Sequence, residues 1–141
     1  MFMGSMVFYG TCPVFGSLPL LLKVCNPNVG QLSFKDNLTR IITILIEQDI
    51  IPILATKADN LEDDHQINMI IAELAVEYEI PLWNFWLAVQ PLPNHGLQSD
   101  GAHLTWGKNY FDSSETMENA WPWRNLTALQ MLNKLYSDIF K

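Results

Sequence analysis

Asp100 and His103 stand three residues apart in Gly96-Leu97-Gln98-Ser99-Asp100-Gly101-Ala102-His103-Leu104-Thr105, inside a Pro/Gly-containing loop over residues 91–104. At that separation a loop can fold a carboxylate beneath an imidazole, so that Asp100 holds one ring nitrogen and leaves the other free as a general base. Gly101 between them permits the turn. The bare pattern is more often a capping aspartate beside a surface histidine. A base of this kind also needs a nucleophile, and the candidates are poor. Ser5 and Ser17 each follow a glycine, yet both read first as turn residues. Cys12 has no activating group near it in sequence, and packing is its plainer role.

Other side chains could border a site. Lys57 and Asp59 follow a β-branched run, at the end of a parallel strand where α/β sheets gather ligands. Trp83, Phe85, Trp86, Trp106, Trp121 and Trp123 could line a cleft near His103, with core packing the competing reading. Trp86 and Trp106, with Lys57, are the candidates for a substrate cleft. Asp59, Glu62, Asp63 and Asp64 lack the glycine-centred spacing of a calcium loop, and His65 and His95 complete no metal motif. No metal and no cofactor is expected. Asn37-Leu38-Thr39 and Asn125-Leu126-Thr127 match glycan acceptors but decide nothing.

The elements that must position these residues alternate. Met6-Val7-Phe8-Tyr9 reads as a short buried strand ending at Gly10. Phe34, Leu38, Ile41, Ile42, Leu45 and Ile46 recur at helical spacing over Phe34–Glu47, with Ser33 or Asp36 as an early cap. Ile50–Leu54 reads as a parallel strand, with Pro52 near its start or a sheet margin. A helix over His65–Tyr78 turns Ile67, Ile70, Ile71, Leu74 and Tyr78 to a core, and Ile80–Trp83 forms the next strand. Residues 105–123 are irregular and aromatic. Asn125 would cap a last helix whose covering face is Leu126, Leu129, Leu132, Leu135, Tyr136 and Ile139. Helices and strands in alternation predict an α/β domain with a parallel sheet.

With 141 residues, 49% of them hydrophobic and 16% charged, the chain has length and apolar content for a single folded domain. Its net charge of −7 and lack of any basic run argue against a nucleic-acid partner. Cys12 and Cys25 are too few for a disulfide scaffold and leave the redox compartment open. Residues 1–22 carry no charged side chain, but glycines, prolines and serines interrupt them and no basic region precedes them. Stable membrane insertion is therefore not expected, and a soluble protein, cytoplasmic or secreted, is.

Five ordered pieces carry a resemblance: Ile50–Thr56, Ile80–Trp86, Leu92–Leu97, Ser99–Thr105 and Arg124–Gln130. Over about residues 34 to 139 they resemble the later half of bacterial SGNH, or GDSL-like, hydrolases. The resemblance implies a flavodoxin-like three-layer α/β/α sandwich with a parallel sheet, truncated at the N-terminus, and a single hydrolase-like domain over residues 1–141 that is incomplete or degenerate. It implies ester hydrolysis on acyl or acetyl esters of lipid or carbohydrate, with His103 as general base and Asp100 as its orienting carboxylate. Gly10-Thr11-Cys12-Pro13 resembles that family's oxyanion block, with Cys12 at the asparagine position. A thiol cannot donate the amide hydrogen bond wanted there. Gly4-Ser5 is not a Gly-Asp-Ser block, so the family's nucleophile is missing.

Two rival expectations stand beside the esterase. One is a noncatalytic α/β binding or interaction protein that self-associates as a homo-oligomer through an open sheet edge. The other is a glycan-binding module that uses the tryptophans.

Overall fold

A computed structural model describes residues 31–139. The expected strand at Met6–Tyr9, together with Ser5, Gly10, Cys12, Ser17 and Cys25, lies outside the described residues. Helix α1 (Gln31–Glu47) buries Phe34, Leu38 and Ile42, each four residues from the last. They meet Ile70, Ile71, Leu74 and Ala75 of α2 (Gln66–Glu77) in one core. Ser33 and Asp36, expected as caps, lie inside α1. His65, in left-handed conformation, is the N-cap of α2 and makes no side-chain cap bond.

Both helices end in the same way. Asp49 N–H donates to Ile46 O and Ile50 N–H to Leu45 O, while Glu79 N–H donates to Val76 O and Ile80 N–H to Ala75 O. This pairing is the Schellman motif, with Asp49 (φ 57°) and Glu79 (φ 52°) in the left-handed position that glycine usually takes. In each case the isoleucine that follows leads the chain into a strand, β1 (Leu54–Ala55) or β2 (Leu82–Trp83).

β1 and β2 pair in parallel, Leu54 against Leu82 and Ala55 against Trp83. Alternation sends Leu54 and Leu82 into the core under α1 and α2. It sends Ala55 and Trp83 into a second core with Phe85 and Val89 of α3 (Phe85–Val89) and Ala120, Ala128 and Met131 of α4 (Ala120–Ile139). Helices therefore cover both faces, but the expected three-layer sandwich with a multi-stranded parallel sheet is corrected. Among the described residues the sheet has two strands, each of two residues. The runs Ile50–Leu54 and Ile80–Trp83 are longer than the pairing they make. Pro52 has no N–H to give a ladder, and Ile50 and Ile51 stand exposed ahead of it.

After α3, a 3-10 turn at Pro93–Gly96 leads to a loop closed by an antiparallel bridge between Leu97 and Leu104. Gly96 is required at its place. Its φ is +74°, and a Cβ there would come 2.6 Å from Ala120 Cβ. The start of α4 also differs from expectation. The helix begins at Ala120, five residues before Asn125, because its first N–H groups are met by Thr105: Ala120 N–H donates to Thr105 Oγ1 (2.9 Å) and Trp121 N–H to Thr105 O (3.0 Å). Pro122, in the first turn, costs no helical hydrogen bond. The covering face is rotated as well: Arg124, Ala128 and Met131 are buried, while Leu129, Leu132 and Tyr136 are exposed. The side chain of Ile139 lies outside the described residues.

Among the described residues no helix is long and apolar enough to cross a membrane.

Candidate functional site

The loop between Leu97 and Leu104 folds Asp100 back on His103 through its backbone. Gly101 N–H donates to Gln98 O (3.0 Å) and Gln98 N–H to His103 O (2.7 Å), closing a tight turn in which Gly101 has φ +69°. Asp100 Oδ1 accepts from the N–H groups of Ala102 (3.0 Å) and His103 (3.1 Å), an Asx turn that fixes the carboxylate. Its Oδ2 lies 2.6 Å from His103 Nδ1. Donation from the Ala102 and His103 amides first, then from the imidazole, holds the Asp100 carboxyl down at about 2. With Nδ1 engaged by the carboxylate, Nε2 is the nitrogen left to face outward, and the ring is 76% exposed. Chemically the pair is an oriented proton acceptor. Among the described residues no hydroxyl or thiol bonds to it.

Of the residues expected to line its cleft, Lys57 and Trp86 stand at the C-terminal ends of β1 and β2. Lys57 Nζ lies 2.6 Å from Asp59 Oδ1 and 2.5 Å from Glu62 Oε2, with all three side chains largely buried. Burial draws the Lys57 ammonium down, but the hydrogen bonds and charges of Asp59 and Glu62 outweigh it and leave the group above its ordinary value. Two carboxylates thus occupy the ammonium that was expected to meet a substrate. The Lys57 backbone is clamped too, its N–H to Asn68 Oδ1 (2.8 Å) and its C=O from Asn68 Nδ2 (3.0 Å). Asn68 was missed in the sequence because a lone buried asparagine in a helix carries no periodic signal.

Beside it, Thr56 Oγ1 donates to Asn84 Oδ1 (3.2 Å) and accepts from Trp86 N–H (2.9 Å). Asn84 Oδ1 also caps α3 through Leu87 N–H (3.0 Å). The Trp86 ring packs edge-on to His65, centroids 5.4 Å apart. Thr56 and Asn84 therefore tie the strand ends together, and Trp86 and His65 close over them.

Trp106 lies with the loop, next to Thr105 at the head of α4, and its side chain is exposed. Among the described residues no hydrogen bond, ion pair or ring contact links Asp100, His103 and Trp106 to Lys57, Asp59 and Trp86. His95 shares the loop in sequence only, its Nδ1 lying 3.2 Å from Gln90 O. Among the described residues no group of three His, Cys, Asp or Glu side chains is placed to hold a metal ion. Ser5, Ser17, Gly10 and Cys12 fall outside the described residues.

No family model, no curated protein and no solved structure matches this chain. The resemblance to SGNH or GDSL-like hydrolases is thereby corrected. Five local sequence pieces suggested it, but residues 31–139 build a two-stranded sheet among helices rather than that family's sheet core. The esterase reading and its lipid or carbohydrate ester substrate fall with it, since among the described residues no Ser-His-Asp triad is assembled.

Proposed function

We propose that the chain is a noncatalytic interaction protein that associates with a second copy of itself through the outer edge of β2. The observation that carries this reading is the direction of the backbone bonds in the parallel pair. Leu54 N–H donates to Pro81 O and Thr56 N–H to Trp83 O. That register turns the N–H and C=O of Ala55 and of Leu82 away from the partner strand, each toward an outer edge where no further strand pairs among the described residues. The two edges differ in access. Ala55 is 1% exposed, whereas Leu82 is only half-buried, so β2 presents the reachable edge.

A short strand edge is self-complementary across a two-fold axis, where one β2 meets another in antiparallel register. The helices on either side of β2 in the chain add exposed apolar side chains, Val76 at the end of α2 (78%) and Leu87 in α3 (58%). A surface of this kind gains by being covered.

Sedimentation velocity across a micromolar to millimolar range tests the reading, together with amide exchange at Leu82. A concentration-dependent dimer is expected, with the Leu82 amide exchanging more slowly as the dimer forms. Leu87→Lys, which places a charge on an exposed position beside the edge, is expected to weaken association about tenfold. A monomer at every concentration, with Leu82 exchange unchanged, would falsify the proposal.

A further inference from the structure

Large aromatic side chains stay exposed near the start of α4, Trp106 (68%), Tyr110 (56%) and Trp121 (38%) among them, with Phe111 exposed beside Tyr110. They are neighbours in space. Trp121 N–H donates to Thr105 O (3.0 Å), and one turn further along α4 Asn125 Nδ2 donates to Asn109 Oδ1 (2.8 Å). These bonds lay residues 105–110 along the first two turns of the helix. The association proposed for β2 makes no use of this surface.

Two of the rings are backed by cations. Lys108 Nζ sits 5.7 Å from the Tyr110 centroid, and the Arg124 guanidinium sits 5.2 Å from that of Trp121. Arg124 is buried while Trp121 keeps part of its surface exposed, so the ring is held by the guanidinium and still reaches solvent. Exposed flat rings are suited to stacking.

Charge selects among ligands that stack. Asp112, Glu115 and Glu118, all exposed, follow directly along the chain and repel an anionic ligand, nucleic acid included. Lys108 and Arg124, already on the rings, oppose a cationic one. What remains is a neutral ligand with a flat apolar face and hydroxyls at its rim. The Asn109–Asn125 amide pair suits that rim: one internal bond leaves a donor on Asn109 and an acceptor on Asn125 side by side.

We infer that the surface formed by Trp106, Tyr110 and Trp121 binds a neutral oligosaccharide by stacking on its C–H faces, with no bond broken. The test is titration of the full chain with cellohexaose, xylohexaose and N-acetylated chitohexaose, followed by tryptophan fluorescence and calorimetry. Saturable binding to at least one of the three is expected. Trp106→Ala, at an exposed position, is expected to weaken it about tenfold while leaving the circular dichroism unchanged, and Trp106→Phe to restore most of the affinity. No saturable response to any of the three at millimolar concentration would overturn the inference. So would equal affinity in Trp106→Ala, or binding to phosphatidylcholine vesicles in place of the sugars, which would make the patch a bilayer contact. Sedimentation and sugar titration read different surfaces, so either proposal can fail alone.

Discussion

Asp100 does two things at once, and both depend on its charge. Its Oδ1 closes the turn by accepting from two backbone amides, and its Oδ2 faces the His103 ring. A carboxyl held down at about 2 against an ordinary 3.8 is deprotonated more readily in the folded chain than in the unfolded one. Its contribution to stability is therefore fully present above about pH 4 and is lost as the pH falls toward 2. Carbon-detected NMR titration of Asp100 is expected to give a midpoint near 2, with the Ala102 and His103 amide resonances moving together with it. A midpoint near 4 would mean that the turn does not hold in solution. The D-x-x-H pair was legible in the sequence because Asx turns are local: four residues and one glycine suffice to build it. The Lys57 triad was half legible. Asp59 and Glu62 are near enough in sequence to reach the ammonium, but whether they or a ligand would occupy it depended on the fold of residues 57–62.

The elements differ in how far their limits are set locally. α1 and α2 appear in the sequence as runs with apolar residues three and four apart, and the structure keeps nearly the same bounds. Their ends are local as well, since a Schellman motif spans six residues, although Asp49 and Glu79 disguise it where a glycine would have announced it. α4 is the opposite case. Its cap, Thr105, lies fifteen residues before Ala120, and no pattern around Asn125 could have pointed there. Thr105 Oγ1 also donates to Gly96 O (3.1 Å), so one hydroxyl joins the loop to the helix. Thr105→Val keeps the shape and removes the hydroxyl. It is expected to cost about 1–2 kcal/mol in urea unfolding, the usual worth of a helix cap together with a second hydrogen bond. No loss would show that Thr105 O alone holds the start of the helix.

At the scale of the whole fold, two apolar cores lie back to back across the two strands among the described residues, and adjacent residues of one strand, Leu54 and Ala55, belong to different cores. Neither core can loosen without disturbing the strand that borders the other. Leu74→Ala under α1 and α2, and Met131→Ala under α3 and α4, are each expected to cost about 2–5 kcal/mol and to lower one common transition. Differential scanning calorimetry checks this; two separated transitions in either variant would show that the cores unfold independently.

By itself the sequence determined what depends on neighbours within a turn or two: the apolar periods of α1 and α2, the glycine-assisted loop, the fold-back of Asp100 on His103, and a short apolar run after each of α1 and α2. Tertiary structure decided what depends on residues far apart in the chain. It limited those runs to two paired residues each and rotated α4 so that Arg124, Ala128 and Met131 point inward while Leu129, Leu132 and Tyr136 do not. It also clamped the Lys57 backbone to the Asn68 side chain of α2. Periodicity states that a segment has an apolar face, but the volume available beside Trp83 and Phe85 selects which face fits, and that volume exists only once both strands and both helix layers have met.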